Sequence, residues 1–356
     1  MSSNTDTAVN LILQKMSQLQ GKWMIVADEN WYSIDWSVVR NASGQKPILY
    51  SNRIDIAKAA QTAGLASTFN DFEFSSLAQR SLDGLLYRVS KERATNHHII
   101  NCAQTLLKPG ATLLLSGQKN DGIKTYVKQA SQLFGDPVST EKKGSAYSAA
   151  IQLNKLDGDP LDDKHYAQLR PLKTESKLSL QSKPGIFGWN KIDRGSQFLI
   201  DYLPEFLSDF KEPPRSLLDL GCGYGYLSYL SVQAIEPGFE RLVATDNNAA
   251  ALLATRKNLS SKCQIDWDVV GADAGDQIFE TFDTILCNPP FHSGFAIDSE
   301  LSIKFLSHTK RLLKQSGKAL FVVNSFIPLE QKAMHYFDKV SLLASNGSFK
   351  LVALSH

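Results

Sequence analysis

The chain has 356 residues, 43% of them hydrophobic, and its 38 basic and 36 acidic side chains leave a formal net charge of +2. This balance excludes a strongly basic nucleic-acid-binding composition, although a local basic face can exist within a neutral total. The N-terminus lacks the pattern of a secretory signal, no apolar run reaches membrane-spanning length, and the four cysteines show no CxxC spacing. We therefore expect a cytoplasmic protein without a membrane segment, structural zinc or a disulfide framework.

Two halves of the chain share one pattern. Residues 82–118 predict a strand, a loop, a helix, the triplet Leu-Leu-Lys, a turn with glycine and an apolar strand, and residues 282–325 repeat this order. Similarity on this scale indicates duplication of a whole domain. The first copy has YRVSKER where the second has CNPPF, and no early strand precedes a glycine-rich turn. We expect residues 1–178 to form a degenerate domain plus linker, without a cofactor site.

A polar stretch with three prolines, residues 156–188, separates the two halves and predicts a linker. Basic side chains outnumber acidic ones from residue 170 to residue 194, where they are Arg170, Lys173, Lys177, Lys183, Lys191 and Arg194. We favour a solvated linker here. The alternative is a basic track for an RNA backbone.

The second half alternates between short apolar runs and helical stretches, which predicts a parallel sheet. Predicted strands include 216–220 and 241–246, and predicted helices include 226–235 and 249–259. Two final apolar runs, joined through the turn pair Asn346-Gly347, predict an antiparallel hairpin. This arrangement resembles the class I methyltransferase fold. We therefore expect an α/β protein with two tandem Rossmann-like domains of this type, the second (179–356) having a seven-stranded sheet.

A glycine-rich loop follows the first strand of the second half, in LLDLGCGYG. Asp219 precedes Gly221, Gly223 and Gly225, and such glycines let the backbone turn into a helix and approach a ligand closely. Asp246 ends the next strand, at the spacing of a carboxylate that binds ribose hydroxyls. This context leaves two cofactors, a dinucleotide or S-adenosylmethionine.

Two further observations favour S-adenosylmethionine. The Asp219 carboxylate would repel a pyrophosphate at this helix N-terminus but suits the ammonium group of a methionine moiety. Asp273, at the end of the third strand, can accept a hydrogen bond from an adenine amino group. We predict S-adenosylmethionine as the cofactor.

The fourth strand ends in Asn288-Pro289-Pro290-Phe291, which predicts the catalytic site. The Asn288 side-chain oxygen and the Pro289 carbonyl can accept the two N–H bonds of an amino group, turning its lone pair towards the methyl group. The prolines stiffen this clamp, Phe291 offers a face for a flipped-out base, and Asn288 also borders the cofactor. We interpret His292 as an orienting residue rather than a base, and no histidine shows metal-ligand spacing.

Together these residues resemble the small-subunit ribosomal RNA guanine-N2 methyltransferases of the RsmC type, over most of the chain. The likeness is strongest in residues 183–204, 217–228, 282–294 and 346–356. It implies methyl transfer to the exocyclic N2 amine of one guanosine in 16S ribosomal RNA, within the assembled small ribosomal subunit. It also implies a cofactor-free first half, and it places Gly195, Ser196 and Gln197 near the cofactor pocket.

Two alternatives remain open from the residues. Adenine N6 in DNA or RNA, another guanosine and a protein glutamine all present an N–H pair to the same clamp, although the duplicated half argues against the glutamine enzymes. The second alternative is an RNA-binding module with vestigial catalysis, which the retained Asp219, Asp246 and Asn288 disfavour. We expect a monomer, because two similar domains are already paired within one chain.

Overall fold

The computed structural model describes residues 6–42, 46–172, 178–233, 238–260, 263–290, 292–293, 296–297 and 299–356. The chain forms two compact units, which divide between Gln168 and Leu169. Among the described helices, none combines the length and the apolar character that crossing a bilayer requires.

The first unit is built on a seven-stranded sheet. Its strands are β1 (Trp23–Ala27), β2 (Ile48–Ser51), β3 (Ser67–Phe69), β4 (Leu82–Arg88), β5 (Leu107–Gln118), β6 (Glu141–Lys143) and β7 (Ala146–Gln152). Its α-helices are α1 (Thr7–Met16), α2 (Trp36–Ala42), α3 (Ile54–Thr62), α4 (Arg93–Leu106) and α5 (Ile123–Phe134). Two short 3₁₀ turns cover Glu29–Trp31 and Lys119–Asp121.

The second unit has a sheet of the same size together with two small strand pairs. The pairs are β8 (Arg170–Pro171) with β9 (Gln181–Ser182), and β14 (His292–Ser293) with β15 (Ala296–Ile297). The main sheet contains β10 (Ser216–Leu220), β11 (Arg241–Asp246), β12 (Asp266–Gly271), β13 (Phe282–Cys287), β16 (Leu313–Asn324), β17 (Lys339–Ser345) and β18 (Phe349–Ser355). The helices are α6 (Arg194–Ser208), α7 (Tyr226–Ser231), α8 (Ala249–Ser260), α9 (Ser299–Leu312) and α10 (Leu329–Ala333).

Both main sheets have the same topology. The strand orders are β3-β2-β1-β4-β5-β7-β6 and β12-β11-β10-β13-β16-β18-β17, in which the first five strands are parallel and the sixth, β7 or β18, is antiparallel to both of its neighbours. The prediction of two tandem methyltransferase-like domains, with a terminal hairpin in the second, is therefore confirmed. The predicted helix 226–235 differs from the structure, where α7 already ends at Ser231.

Apolar clusters cover both faces of the first sheet. Along β4, Leu85 and Tyr87 belong to one buried cluster, whereas Leu86 between them belongs to another. Alternation of this kind is expected because successive side chains of a strand point to opposite faces. A strand covered on both sides is apolar throughout, which explains the continuous runs in the sequence. Polar side chains that bind a ligand are therefore expected at the ends of the strands. The carboxyl ends of the parallel strands share one edge of the sheet.

Candidate active site

The glycine loop after β10 turns sharply into α7. Gly221, Gly223 and Gly225 all have positive φ, at 84°, 55° and 82°, where other residues are strained. At Gly225 a Cβ atom would also lie 3.0 Å from the side chain of Thr255, so the loop can pack against α8 only with glycine there. The Thr255 hydroxyl donates to the Gly223 carbonyl at 2.9 Å and fixes the loop.

Asp246 connects this loop to the end of β11. Its Oδ2 accepts from the Gly223 amide at 3.0 Å, and its Oδ1 accepts from the Asn248 amide at 2.9 Å. The carboxylate is only partly buried. It therefore lies at the carboxyl edge of the sheet, beside the glycine loop, where the sequence predicts a ribose ligand.

Asp219 lies beneath the loop and is fully buried. Its Oδ2 accepts from both the amide and the hydroxyl of Ser228, at 2.8 and 2.6 Å, while Oδ1 has no partner in the described structure. Burial raises the pKa of Asp219 to about 6, and the nearby Asp246 charge adds to the rise, against the lowering effect of the Ser228 bonds. An orphaned carboxylate oxygen under the loop fits a cationic ligand group above it. The carboxylate acts on that group through its field, because none of its surface is exposed.

Asp273 occupies the corresponding position after β12, and it already has a cationic partner. Its side chain pairs with the Lys304 ammonium group from α9, and its amide donates to Asp276 Oδ1 at 2.9 Å. One carboxylate oxygen thus binds Lys304, an ion pair that no motif or spacing in the sequence indicates. An adenine amino group would have to share the carboxylate with Lys304.

Asn288 is held at the end of β13 by two residues of the segment that enters α6. Its Nδ2 donates to Asp193 Oδ2 and to Ser196 Oγ, both at 2.8 Å. A carboxylate can only accept, so the amide NH₂ must face Asp193 and the Asn288 oxygen must face the other way. The resemblance to the RsmC-type enzymes implies a position near the pocket for Ser196, whereas the role of Asp193 emerges only from the structure.

The helix cap and the Asn288 contact depend on the same carboxylate. Asp193 is the N-cap residue of α6, and its Oδ2 accepts from the Ser196 amide at 2.8 Å. A Cβ atom at Gly195 would lie 3.0 Å from Asp193 Oδ2 and 3.2 Å from the Phe349 ring, which explains the glycine there. Gln197, one residue further along, is exposed. The spacing Asp-x-Gly-Ser thus positions Asn288.

The remaining residues of the clamp are only partly described. Pro289 is buried and Pro290 is exposed. Phe291 lies outside the described residues, and for His292 the structure gives only its backbone, in β14. Their predicted roles stay predictions.

The approach segment to α6 runs along the same edge of the sheet. The Gly185 carbonyl accepts from Asn248 Nδ2 at 2.7 Å, and the Lys191 carbonyl accepts from the Tyr224 hydroxyl at 3.3 Å. Asp193 then reaches Asn288. This segment therefore passes from the end of β11, past the glycine loop, to the end of β13.

In its described part, the basic stretch from residue 170 to residue 194 is interrupted by basic side chains that are buried or packed against a ring. Lys183 is 1% exposed, and the guanidinium carbon of Arg170 lies 5.2 Å from the centroid of the Trp189 ring. Lys191 and Arg194 are exposed, whereas Lys173 and Lys177 lie outside the described residues. The solvated-linker interpretation also needs correction, because β8 and β9 are paired and Gln181 bonds to Asn258 of α8.

The first unit lacks these side chains at the equivalent positions. Its β1–β4 register pairs Val26 with Tyr87, as the β10–β13 register pairs Leu220 with Cys287. Counting along the paired strands identifies the equivalent residues of the first unit. They are Ile25 at the position of Asp219, Ala27 at that of Gly221, Ser51 at that of Asp246 and Arg88 at that of Asn288.

Arg88 fills the edge of the first sheet with an ion-pair network. Its guanidinium group contacts Asp6 Oδ2 and Asp121 Oδ2, each at 2.8 Å, and Arg88 is 4% exposed. Asp6 is the N-cap residue of α1, just as Asp193 is the N-cap residue of α6. Both units therefore join a helix cap to a residue at the carboxyl end of the fourth strand of the main sheet, but the first unit uses an arginine.

Comparison with known proteins agrees with this geometry. A family model described as "Methyltransferase small domain" matches residues 177–353. The Shewanella loihica protein named ribosomal RNA small subunit methyltransferase C is 27% identical to this chain, over 77% of both chains. The Erwinia tasmaniensis protein of that name is 28% identical, over 76% of this chain and 74% of its own.

A solved structure, the T. thermophilus 16S rRNA N2 G1207 methyltransferase (RsmC) in complex with AdoMet and guanosine, has the same fold. Its TM-score is 0.82, at 22% identity, over 99% of this chain and 93% of that chain. The second unit of this protein thus carries a methyltransferase small domain, and the whole chain resembles the ribosomal RNA small subunit methyltransferases C.

Proposed function

We propose that this protein transfers a methyl group from S-adenosylmethionine to the exocyclic N2 amine of a guanosine in 16S ribosomal RNA of the small ribosomal subunit. The observation that carries the proposal is the fixed Asn288 amide. Asp193 and Ser196 hold its nitrogen, so its oxygen is presented as an acceptor at the carboxyl end of β13. The choice of guanosine and of 16S RNA follows the resemblance to the RsmC proteins.

The clamp compensates for a weak nucleophile. The lone pair of an aromatic amino group is delocalised into the ring, and two acceptors on its N–H bonds turn the nitrogen towards tetrahedral geometry. The Asn288 oxygen and the Pro289 carbonyl are these acceptors. Positive charge develops on the nitrogen during transfer, and preorganised acceptors stabilise it. The methylated nitrogen then loses a proton readily, so no dedicated base is required.

Asp193 strengthens the clamp without touching the substrate. Its carboxylate accepts from Asn288 Nδ2, which polarises the amide and increases the negative charge on the Asn288 oxygen. Ser196 provides the second acceptor and prevents rotation of the amide. Both are positioning residues for Asn288.

The residues of the glycine loop and its neighbours fit S-adenosylmethionine. When bound, this cofactor supplies an electrophilic methyl group. Asp246 is placed to bind its ribose hydroxyls, and the backbone of Gly221 and Gly223 allows close approach. Asp219 provides negative potential for the ammonium group, and Asp273 an acceptor for the adenine amine. No equivalent set exists at the register positions of the first unit.

We extend the proposal to the remainder of the molecule. The first domain binds no cofactor, because Arg88 and its carboxylate partners fill the equivalent edge. The protein acts as a monomer in the cytoplasm, where small ribosomal subunits are found.

The test uses small ribosomal subunits from cells that lack the gene for this protein. They are incubated with the protein and radiolabelled S-adenosylmethionine, and the RNA is digested to nucleosides. We expect label in N2-methylguanosine, and none in free DNA or in protein. Label in N6-methyladenosine or methylglutamine would instead assign the clamp to another amino-group substrate, and the guanosine proposal would be wrong.

A further inference from the structure

The loop after β12, residues 272–278, is held by one face of α9. His308 Nδ1 donates to the Ala274 carbonyl at 2.9 Å, and the Arg311 guanidinium group donates to the Gly275 and Ile278 carbonyls at 2.9 and 2.6 Å. Ala274 has a φ of 49°, a left-handed conformation that residues other than glycine rarely adopt. These bonds therefore fix the backbone of the loop against α9.

Lys304 lies on the same face of α9, one turn before His308, and its ammonium group pairs with the Asp273 carboxylate. The bond from Lys304 goes to Oδ2. A carboxylate has lone pairs on both oxygens, so Oδ1 keeps its capacity to accept. The side chain of Asp273 is 16% exposed, which leaves it within reach of a ligand. One end of this carboxylate is thus paired inside the protein while the group as a whole still borders solvent.

The ammonium group has two effects on the Asp273 carboxylate. The terminal torsion of an aspartate is soft, and a charged partner on one oxygen fixes the direction of the other. An adenine ring that covers the carboxylate also removes water from it, which is costly for an unpaired charge. Because Lys304 already compensates this charge, the carboxylate can accept from an adenine amine at a smaller desolvation cost.

We infer that Lys304 is a positioning residue that makes the cofactor pocket selective for adenine. This role rests on the proposed function for the identity of the cofactor. Lys304 holds one oxygen of Asp273, and the other oxygen accepts from the 6-amino group of the purine. A purine without this group leaves the covered oxygen without a donor, and a site built to hydrogen-bond a ligand discriminates strongly against an analogue that cannot form the bond.

The test compares two ligands by titration calorimetry on the full chain. They are S-adenosylhomocysteine, the product form of the cofactor, and its analogue in which hydrogen replaces the 6-amino group. The wild type should bind the analogue between about tenfold and about a hundredfold more weakly.

Lys304→Met removes the ammonium group but keeps the length of the side chain. It should bind S-adenosylhomocysteine about tenfold more weakly than the wild type, and its ratio between the two ligands should fall below about threefold. Lys304→Arg keeps a cation and should retain most of the wild-type ratio. Lys314→Met is the matched control, because it removes another partly exposed lysine, which pairs with Asp283 at 3.0 Å at the start of β16. Both of its affinities should equal those of the wild type.

Four results would overturn this role of Lys304. Equal binding of both ligands by the wild type would do so without any variant. An unchanged ratio in Lys304→Met would show that the ammonium group does not position the carboxylate, and tighter binding of S-adenosylhomocysteine would make Lys304 a competitor of the adenine. A parallel loss of both affinities with a lower Tm would assign Lys304 to the stability of the loop.

Binding is measured without RNA, so the two proposals fail separately. Selective binding of the adenine ligand without formation of N2-methylguanosine contradicts only the proposed function. Formation of N2-methylguanosine with an unchanged ratio in Lys304→Met contradicts only the role of Lys304.

Discussion

At the scale of single residues, the site depends on Asp193, which caps α6 and holds the Asn288 amide through one oxygen atom. Asp193→Ser separates these two tasks, because serine is an equally good N-cap but is too short to reach Asn288. We expect kcat to fall between about tenfold and about a hundredfold, while Tm and the affinity for S-adenosylmethionine are retained.

Asp193→Asn is the companion variant. Its side-chain oxygen can still accept from Asn288 and cap the helix, but the charge is lost, so we expect a kcat between those of the wild type and Asp193→Ser. Parallel measurements of kcat, Tm and cofactor affinity on the wild type and both variants test whether the Asp193 carboxylate orients the Asn288 amide. A wild-type kcat in Asp193→Ser would show that the amide is oriented without the carboxylate.

The raised pKa of Asp219 gives a pH dependence with a defined sign. With a pKa of about 6, the carboxylate is charged at pH 7.5 and is neutralised as the pH falls through 6. Its attraction for the cofactor ammonium is then lost, so the affinity for S-adenosylmethionine should fall between pH 7.5 and pH 5. Titration calorimetry across this range should give a flatter profile for Asp219→Asn, and identical profiles for the two proteins would refute the assignment.

Asp219 should also make the free energy of unfolding depend on pH, with a sign opposite to that of its effect on cofactor affinity. An acid whose pKa is raised in the folded state binds protons more tightly there than in the unfolded chain. The contribution of Asp219 to the free energy of unfolding of the cofactor-free protein is therefore greatest at acidic pH, and it is lost as the pH rises through about 6. At acidic pH, protonation of Asp219 therefore weakens cofactor binding but favours the folded state. The two opposite signs distinguish the effect on binding from unfolding by acid.

At the scale of elements, Arg88 joins the end of β4 to the N-cap of α1 and to the 3₁₀ turn that contains Asp121. Arg88→Ala leaves these two carboxylates without their counterion, and breaking such a buried pair costs about 3 to 5 kcal/mol. We expect the free energy of unfolding of the first unit to fall by that order.

The matched control is Lys15→Ala, which removes the exposed Lys15–Glu141 pair from the same unit. Exposed pairs contribute about 1 kcal/mol or less, so this variant should be nearly as stable as the wild type. Urea denaturation compares the two variants. Equal stability would mean that Arg88 is not what closes the edge of the first sheet.

At the scale of the whole molecule, the sequence predicts the architecture well, because the architecture follows from patterns within short segments of the chain. Alternating strands and helices, the Asn346-Gly347 turn and the repeat of residues 82–118 in residues 282–325 together imply the two sheets that the structure contains. Asp219, Asp246 and Asn288 also lie where strand ends place them.

Contacts between distant residues could not be predicted in this way. Asp193 and Asn288 are 95 positions apart, and the ion pair of Asp273 with Lys304 joins a loop to a helix that follows another strand. Periodicity fixes which face of an element is buried, but it does not tell which side chains meet at its end.

The difference between the two units predicts how many molecules of S-adenosylmethionine bind per chain. Register places Ile25, Ala27, Ser51 and Arg88 where the second unit has its cofactor residues. One molecule of S-adenosylmethionine should therefore bind per chain in titration calorimetry, with no second transition at higher ligand concentration. A stoichiometry of two would mean that the first unit has kept a cofactor site.

The measurement that tests the central claim most directly is single-turnover methyl transfer to small ribosomal subunits by the wild type and by Asn288→Ala, with cofactor affinity determined in parallel. The variant lacks the amide oxygen but keeps the glycine loop and Asp246. We predict that it binds S-adenosylmethionine nearly as tightly as the wild type and transfers methyl groups at least about a hundredfold more slowly. Transfer at the wild-type rate would contradict the clamp at the end of β13.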